Sequence, residues 1–306
     1  MPELPEVQTV VENLNALGIT GRSILGARVY WPRTVAGMSP KTFCATIKGL
    51  TIEAVTRRGK YIVMALSGDW TLLVHLRMTG RLNWKACGTG RDRHEHVVLR
   101  VGRERELRFH DTRKFGRLTL TREARTILDR IGPEPLERSF TRNRFEKMLQ
   151  ARKRRIKPLL LDQSFIAGLG NIYVDEALWA ARIHPERVSV SLTEKEVDDL
   201  HKAIPRVLKK GLKNMGTSLG TGEGNFYSVA GRTGRNADEL KVFRRTGLGC
   251  PRCGTPIQRL TVAQRGTHIC PACQHTEKTA APPGAGVTAV CGKQPPRGTE
   301  RKHKAA

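Results

Sequence analysis

Two pairs of cysteines near the end of the chain have the spacing of a metal site. Cys250-Pro-Arg-Cys253 and Cys270-Pro-Ala-Cys273 are separated by sixteen residues, as in a four-cysteine zinc ribbon. Two disulfides are the alternative, but the sequence shows no secretory signal peptide and cytosolic thiols stay reduced. The spacing therefore predicts one structural zinc ion, whose four thiolates leave no position for a catalytic water. The other cysteines have no partner at ligand spacing and are predicted to be incidental: Cys44, Cys87 and Cys291.

A second candidate site combines a basic segment with a glycine-containing turn. Between Arg138 and Lys157 the sequence has nine Lys or Arg residues and one acid, Glu146. A solvated helix face is the plain alternative. The segment that follows favours phosphate binding, because Gly168-Leu-Gly-Asn171 leads directly into a predicted helix. Such a turn presents free backbone N–H groups and the positive end of the helix dipole to an anion.

The whole chain is strongly basic. Its 306 residues include 54 Lys and Arg against 28 Asp and Glu, a formal charge of +26. This excess predicts a polyanionic partner, with nucleic acid favoured and an anionic membrane surface as the alternative. With 39% hydrophobic and 27% charged residues, the composition excludes a collagen, a coiled coil and an acidic enzyme. No apolar run approaches the ~20 residues needed to cross a bilayer, so we expect a cytoplasmic protein.

The elements that must position these residues change in type along the chain. A helix is predicted over residues 2–18, where Leu4, Val7, Val11 and Leu14 share one face. Short β-rich runs joined by glycine-containing turns then predict a β-sandwich or barrel. These runs are Ile24–Trp31, Thr51–Thr56, Tyr61–Leu66, Thr71–Leu76, Val97–Val101 and Arg117–Leu120.

Helical patterns replace the strands after Ile131-Gly132-Pro133. They are predicted over 140–151, 156–163, 171–182 and 193–214, and a glycine-rich loop follows. The fold class is therefore α+β, with an N-terminal helix and β-sandwich, a helical second domain and a zinc-ribbon hairpin. The predicted domains are 2–132, 133–245 and 246–278, followed by a basic disordered tail over 279–306.

Six motifs, in order along the chain, give the sequence a specific resemblance. They are Pro2-Glu-Leu-Pro-Glu6-Val, Arg58-Gly-Lys60-Tyr, His75-Leu-Arg-Met78-Thr-Gly, Asp111-Thr-Arg113-Lys-Phe115-Gly, Leu161-Asp-Gln-Ser-Phe-Ile-Ala-Gly-Leu-Gly-Asn171-Ile-Tyr-Val-Asp-Glu176 and Arg265-Gly-Thr-His-Ile-Cys270. Together they closely resemble the formamidopyrimidine-DNA glycosylase family (Fpg/MutM). The resemblance covers residues 2 to about 276 and implies that the helical domain contains a helix–two-turn–helix motif.

This resemblance implies a base-excision repair enzyme that removes oxidised purines and cleaves the strand by β,δ-elimination. After removal of the initiator methionine, the amine of Pro2 would be the nucleophile of a Schiff-base intermediate. Glu3 would be the general acid and base, with Glu6 as its support, and Lys60 would contact phosphate or protonate the departing base. From the pattern alone, Pro2 is an ordinary helix-start proline, the glutamates complement the helix dipole, and Lys60 is surface charge.

The resemblance also implies how damaged duplex DNA would be held. Met78, Arg113 and Phe115 would fill the space left by a flipped base, although Met78 and Phe115 could equally be core residues. Phosphate contacts would come from five further residues: His75, His96, Lys157, Asn171 and Arg265. The expected partner is double-stranded DNA with oxidised bases or abasic sites, bound by a monomer.

Several positions depart from the family pattern. Arg77 replaces the glycine before the methionine, and Thr112 and Lys114 replace proline and arginine. Where Tyr-Gly-Arg-x-Gly is expected, the chain has Phe243-Arg-Arg245-Thr-Gly247, after an atypical Gly216–Leu240 segment that should cap the flipped base. Glu-Leu-Pro at the start favours the Fpg branch over Nei, its relative that excises oxidised pyrimidines.

Two other classes of protein remain as alternatives. A non-catalytic zinc-ribbon DNA-binding protein would explain the charge and the cysteines but would make Pro2, Glu3 and Lys60 accidental. A peripheral membrane protein explains only the charge, since no segment joins a basic face to an aromatic-rich apolar face.

Overall fold

The computed structural model describes residues 2–220, 226–229 and 231–276. Met1–Thr276 forms one compact unit. The predicted tail over 279–306 and Cys291 lie outside the described residues, as do residues 221–225 and 230 of the Gly216–Leu240 segment. The division into domains at residues 132, 245 and 278 remains a prediction.

The first half of the chain forms a β-sandwich with an N-terminal helix. Its helices are α1 (Leu4–Ala16) and α2 (Pro40–Ile47), and its strands are β1 (Ile24–Val29), β2 (Val35–Ala36), β3 (Ile52–Arg58), β4 (Tyr61–Leu66), β5 (Trp70–His75), β6 (Arg81–Ala86), β7 (Glu95–Val101), β8 (Arg105–His110) and β9 (Arg117–Thr121). One sheet has the order β1-β7-β8-β6 and the other β2-β9-β5-β4-β3. All pairs are antiparallel except β2 with β9.

A single hydrophobic core lies between the two sheets and under α1. Leu99 and Phe109 from one sheet meet Ile62 and Leu72 from the other, and Val10 of α1 joins them. This arrangement settles the choice between sandwich and barrel, because two separate sheets pack face to face. The pattern missed α2, β2, β6 and β8. Strand β8 was hidden because it carries the charged residue Arg108, which is buried in ion pairs with Glu95 and Glu106.

The second half is helical and ends in a zinc-ribbon hairpin. Its elements are α3 (Arg125–Leu128), α4 (Arg142–Gln150), α5 (Ile156–Leu161), α6 (Asn171–Ala180), α7 (Glu194–Lys213), β10 (Gln258–Val262) and β11 (Arg265–Ile269). A second core contains Phe145, Leu160, Tyr173 and Ile204, together with Leu4 from α1. Since α1 contributes to both cores, its N-terminus lies at the junction of the two halves. No helix among the described residues is long and apolar enough to span a bilayer.

Candidate active site and DNA interface

Glu3 joins the start of α1 to the start of α6. Pro2 and Glu3 are buried. The Glu3 carboxylate accepts hydrogen bonds from the backbone N–H groups of Gly170 (2.6 Å) and Ile172 (2.9 Å) at the positive end of α6. A side chain at position 170 would collide with this carboxylate, because a Cβ there would lie 2.4 Å from Glu3 Cδ. Gly170 is therefore required for the two helix starts to meet.

Burial raises the pKa of Glu3 to about 7, and the nearby Glu6 carboxylate adds to the rise, while Lys60 and the Ile172 N–H oppose it. Near neutral pH both protonation states of Glu3 are therefore populated. Such a group can donate a proton in one step and accept one in the next.

Glu6 ties α1 to α6 and to the start of the Gly216–Leu240 segment. Its carboxylate accepts hydrogen bonds from the Glu3 N–H (2.8 Å), the Tyr173 hydroxyl (2.9 Å) and the Thr217 N–H (2.7 Å). Burial raises the pKa of Glu6 as well. Gly216 has φ +81, and a Cβ there would lie 2.8 Å from Glu6 Cγ. Glycine thus satisfies both the backbone conformation and the close approach.

Lys60 sits at the tip of the β3–β4 hairpin and is only 6% exposed. The Glu134 carboxylate holds this tip, since it accepts hydrogen bonds from the Gly59 N–H (2.6 Å) and from the Arg57 and Arg58 guanidinium groups. Burial lowers the pKa of Lys60 to about 8; Glu3 and Glu6 oppose this shift, and Arg265 adds to it. The sequence-predicted catalytic groups therefore lie within electrostatic range of one another.

The structure also brings together the three predicted void-filling side chains. Arg113 Nη1 lies 3.3 Å from Met78 Sδ, and the Arg113 guanidinium lies 5.1 Å from the centroid of the Phe115 ring. Phe115 is 49% exposed, which is unusual for so large an apolar side chain. Arg113 and Phe115 are exposed and Met78 is half-buried. Neither Met78 nor Phe115 belongs to the hydrophobic core, contrary to the plain alternative for these two residues.

Asp111 fixes the loops that carry this cluster. Its buried carboxylate accepts hydrogen bonds from the Thr79 hydroxyl, from the Arg113 N–H (3.2 Å) and from the Gly116 N–H (2.7 Å). One side chain thereby holds both the Met78 loop and the Arg113–Phe115 loop. In the sequence, Asp111 is part of a motif but has no predicted role of its own.

The two predicted histidines differ in their surroundings. The Nδ1 atom of His75 accepts a hydrogen bond from the Arg77 N–H (3.0 Å), so the ring proton lies on Nε2. Burial, together with Arg77 and Lys60, lowers the pKa of His75 to about 3 and keeps the ring neutral. His96 is 3% exposed, and its Nε2 lies 2.8 Å from the Asp111 carbonyl oxygen. His96 thus supports the Asp111 loop, whereas the half-buried His94 beside it is closer to solvent.

The structure corrects the expectation for Lys157, because its side chain is fully buried. Its ammonium donates hydrogen bonds to Asp175 Oδ1 (2.6 Å), Thr267 Oγ1 (2.8 Å) and the Gly266 carbonyl (3.3 Å). All three ammonium hydrogens are thereby used within the protein. Asp175, on α6, was missed as a partner since its pairing with Lys157 arises only from the packing of α5 on α6.

Asn171 contacts the residue next to Arg265 where α6 meets the zinc hairpin. The Asn171 amide donates one hydrogen bond to the Gly266 carbonyl (2.8 Å), which leaves its other amide hydrogen for a ligand. Arg265, adjacent to Gly266, is exposed. Lys157 donates to the same Gly266 carbonyl from the protein interior. The buried pair of Lys157 and Asp175 therefore supports the surface that carries Asn171 and Arg265.

The four predicted cysteine ligands converge on one point. Their sulfur atoms all lie within 4.8 Å of one another, and individual Sγ–Sγ distances are 3.4, 3.5 and 4.0 Å. Tetrahedral Zn²⁺ with Zn–S bonds of about 2.3 Å requires a separation of about 3.8 Å, whereas a disulfide requires about 2.05 Å. The Trp179 indole N–H donates to Cys250 Sγ (3.4 Å). The chain therefore holds one structural zinc ion, and the disulfide alternative fails.

Two of the departures from the family pattern preserve the backbone shape of a glycine. Arg77 has φ 54 and Arg244 has φ 58, both in the left-handed region that glycine adopts most readily. Both side chains are exposed. The loops therefore keep their conformation while gaining a cation at each position.

Comparison with known proteins gives matches over most of the chain. The formamidopyrimidine-DNA glycosylase N-terminal domain matches residues 1–118, the H2TH domain of that enzyme matches 131–222, and the zinc finger found in FPG and IleRS matches 247–276. The formamidopyrimidine-DNA glycosylase of Protochlamydia amoebophila is 47% identical over 90% of this chain and 99% of its own length. That of Herpetosiphon aurantiacus is 46% identical over 90% of this chain and all of its own.

Solved structures agree with this result. A mutant of the Lactococcus lactis FPG in complex with DNA containing Fapy-dG is 39% identical, with a TM-score of 0.83 over 89% of this chain and 99% of that chain. A MutM complex with DNA containing carbocyclic 8-oxo-G is 38% identical, with a TM-score of 0.82 over the same shares. The fold and the site define the class of protein, a DNA-binding zinc-ribbon protein with a buried centre that contains Glu3 and Lys60. The chain belongs to the formamidopyrimidine-DNA glycosylase family.

Proposed function

We propose that this protein removes oxidised purines from double-stranded DNA and cleaves the strand at the resulting abasic site. As a member of its family it is a DNA glycosylase with AP lyase activity that acts in base-excision repair. The observation that carries the proposal is the buried Glu3, with a pKa near 7, next to Pro2 and within electrostatic range of Lys60. This arrangement supplies a proton-transfer group beside a secondary amine, as the reaction requires.

The amine of Pro2, freed by removal of Met1, is the proposed nucleophile. Its lone pair attacks C1′ of the damaged nucleotide, the glycosidic bond breaks, and the base departs with a proton. Glu3 protonates the ring oxygen as the sugar opens to an iminium ion. The iminium acidifies the C2′ proton, and loss of that proton expels the 3′-phosphate; loss of the C4′ proton in a second elimination expels the 5′-phosphate.

Lys60 supplies positive charge next to this chemistry. With its pKa near 8, it is largely protonated at neutral pH yet releases a proton more readily than an ordinary lysine. It is therefore suited to hold a phosphate or to protonate the departing base. Glu134 contributes indirectly, since it fixes the hairpin tip from which Lys60 reaches the site.

The cluster of Met78, Arg113 and Phe115 is the proposed filler for the space left by the flipped base. A base inside a duplex cannot reach a buried amine, so the nucleotide must leave the stack. Phe115 and Met78 supply apolar surface for the gap, and the Arg113 guanidinium can hydrogen-bond the orphaned cytosine. Held by Asp111, the three residues enter the duplex as one unit.

Phosphate binding is proposed for His75, Asn171 and Arg265. His75 contributes a neutral Nε2–H donor, because its pKa is far below neutral. Asn171 contributes a free amide hydrogen at the positive end of α6, and Arg265 contributes an exposed charge. Lys157 positions the last two, and His96 positions the Asp111 loop.

The test of the proposal is covalent trapping on a duplex with 8-oxoguanine opposite cytosine. Borohydride should reduce the iminium ion and link the N-terminal peptide to DNA, and Pro2→Ala should greatly reduce the link. Glu3→Gln should still bind the duplex but trap about 10²- to 10⁴-fold more slowly, because the amide cannot transfer protons. A covalent link between DNA and Lys60 would refute Pro2 as the nucleophile. Faster excision of oxidised pyrimidines than of oxidised purines would place the chain in the Nei branch.

The remaining proposals concern assembly and location. We propose that the protein acts as a monomer, since one chain contains every element of the site. We further propose that it lies in the bacterial cytoplasm, associated with the nucleoid through DNA. Analytical ultracentrifugation with and without a lesion duplex tests the first, and fluorescence microscopy tests the second.

A further inference from the structure

Arg77 occupies a backbone position that disfavours any side chain. Its φ of 54 lies in the left-handed region, which costs an ordinary residue more free energy than it costs glycine. The cost can be avoided without changing the loop, because the hydrogen bond that Arg77 makes among the described residues comes from its backbone N–H to His75 Nδ1. Glycine would retain that bond.

The guanidinium of Arg77 does not stabilise the folded protein through a partner of its own. It is exposed, and within the described residues it has neither a hydrogen-bond nor an ion-pair partner. Lys114, which has φ 61, differs because its ammonium lies 4.1 Å from the centroid of the Trp31 ring. Arg244 also differs, since it lies 3.5 Å from the Leu219 carbonyl oxygen.

The surroundings of Arg77 are already rich in positive charge. Arg77 and Lys60 both lower the pKa of His75, and Arg265 lowers that of Lys60. Placing another cation in this group is unfavourable unless a polyanion occupies the surface. Arg77 also directly precedes Met78, so the same loop carries both Arg77 and a member of the void-filling cluster.

We propose that Arg77 binds a DNA phosphate next to the gap that Met78 fills, and that this contact outweighs the backbone strain. The inference rests on the proposed function, because it requires lesion DNA on this surface. It makes Arg77 a binding residue that stabilises the complex and destabilises the free protein. Removing its side chain should therefore change stability and affinity in opposite directions.

The test compares three variants on a duplex with a tetrahydrofuran abasic analogue, with dissociation constants measured across a range of KCl concentrations. Arg77→Gly should raise the dissociation constant about 5- to 10-fold at about 0.1 M salt and reduce the log–log salt slope by about 0.9. Its melting temperature should rise by about 1–3 °C as the strain is relieved. Arg77→Lys should keep the slope, because it keeps the charge.

Arg182→Gly is the matched control. Arg182 is also exposed and has φ 58, but it follows the C-terminal end of α6, about 15 Å along the helix axis from Asn171. This control should gain the same stability without a change in affinity or slope. If Arg77→Gly binds like Arg182→Gly, the proposal is wrong.

A loss of affinity with an unchanged slope would likewise overturn the phosphate contact and indicate a base contact instead. Borohydride trapping by the unmodified protein separates these results from a failure of the proposed function. If the unmodified protein does not trap lesion DNA, the function fails, whatever the binding data show.

Discussion

At the scale of single residues, the site depends on groups whose charge states are shifted by burial. Glu3 has its pKa raised to about 7 and Lys60 has its pKa lowered to about 8. In both cases burial disfavours the charged form, and the opposite partner only partly compensates. The two groups therefore change protonation within the same narrow range around neutral pH, so their titrations belong to the pair.

This pairing predicts that excision slows at alkaline pH. The rate should fall above about pH 7 to 8 as Glu3 and then Lys60 lose their protons. Single-turnover excision between pH 5.5 and pH 9 measures it, with binding to an abasic analogue as the control. A rate that still increases at pH 9 would contradict the role of Glu3 as an acid.

The opposite base should be sensed by Arg113. Arg113→Ala should reduce the preference for cytosine over adenine opposite 8-oxoguanine by about 10-fold or more, the value of one good hydrogen-bonded contact. Binding to a duplex with an abasic site should weaken less, since Met78 and Phe115 still fill the gap. Lys114→Ala, which changes a neighbouring cation, is the control. Equal losses of excision rate opposite every base would show that Arg113 contributes only its positive charge.

At the scale of secondary-structure elements, buried side chains join segments that are far apart in sequence. Glu3 connects α1 to α6, Glu134 holds the β3–β4 hairpin, and Asp111 holds the two loops of the void-filling cluster. Each carboxylate accepts hydrogen bonds from backbone N–H groups and thereby fixes the backbone of the segment that donates them. Where the helices meet the zinc hairpin, Asp175 accepts a hydrogen bond from the His268 N–H and Lys157 donates one to the Gly266 carbonyl.

The pairing of Lys157 with Asp175 gives a prediction that separates positioning from direct binding. Lys157→Met should destabilise the protein by about 3–5 kcal/mol, because it removes the lysine partner of the buried Asp175 carboxylate. Adding Asp175→Asn should recover much of this loss, since the amide needs no counter-charge. Thermal unfolding measures both variants. The salt slope of DNA binding should stay unchanged in the double variant; a decrease of about 0.9 would restore Lys157 as a phosphate ligand.

At the scale of the whole molecule, the zinc ribbon is a small module with its own core. Val242 and Ile257 pack with Cys250 and Cys270, apart from the two larger cores. The hairpin reaches back to the helical half through Asp175, which accepts a hydrogen bond from the His268 N–H (2.9 Å). The metal therefore stabilises a surface of the DNA interface and leaves most of the fold to the larger cores.

Removal of the metal tests this division. Cys250→Ser should lose the zinc and most of the DNA affinity, because Arg265 is no longer held beside Asn171. Far-ultraviolet circular dichroism should show that the strands and helices persist. Cys44→Ser, at a thiol outside the metal site, is the control. Elemental analysis that finds no zinc in the reduced, unmodified protein would refute the site.

The sequence by itself determined the features that depend on local spacing. The two CxxC pairs defined the zinc ligands, the change from strand-like to helical periodicity defined an α+β fold, and six motifs defined the family. These inferences succeeded because ligand spacing and helical or strand period are properties of short segments.

Only the tertiary structure decided which charged residues are buried and what they contact. Lys157 looks like surface charge in the sequence, yet it is fully buried against Asp175. Glu3 resembles a helix-start acid, yet it caps a helix that begins at Asn171. The physical reason is that exposure and partner identity arise from the packing of segments that are far apart in the chain, and no local pattern records that packing.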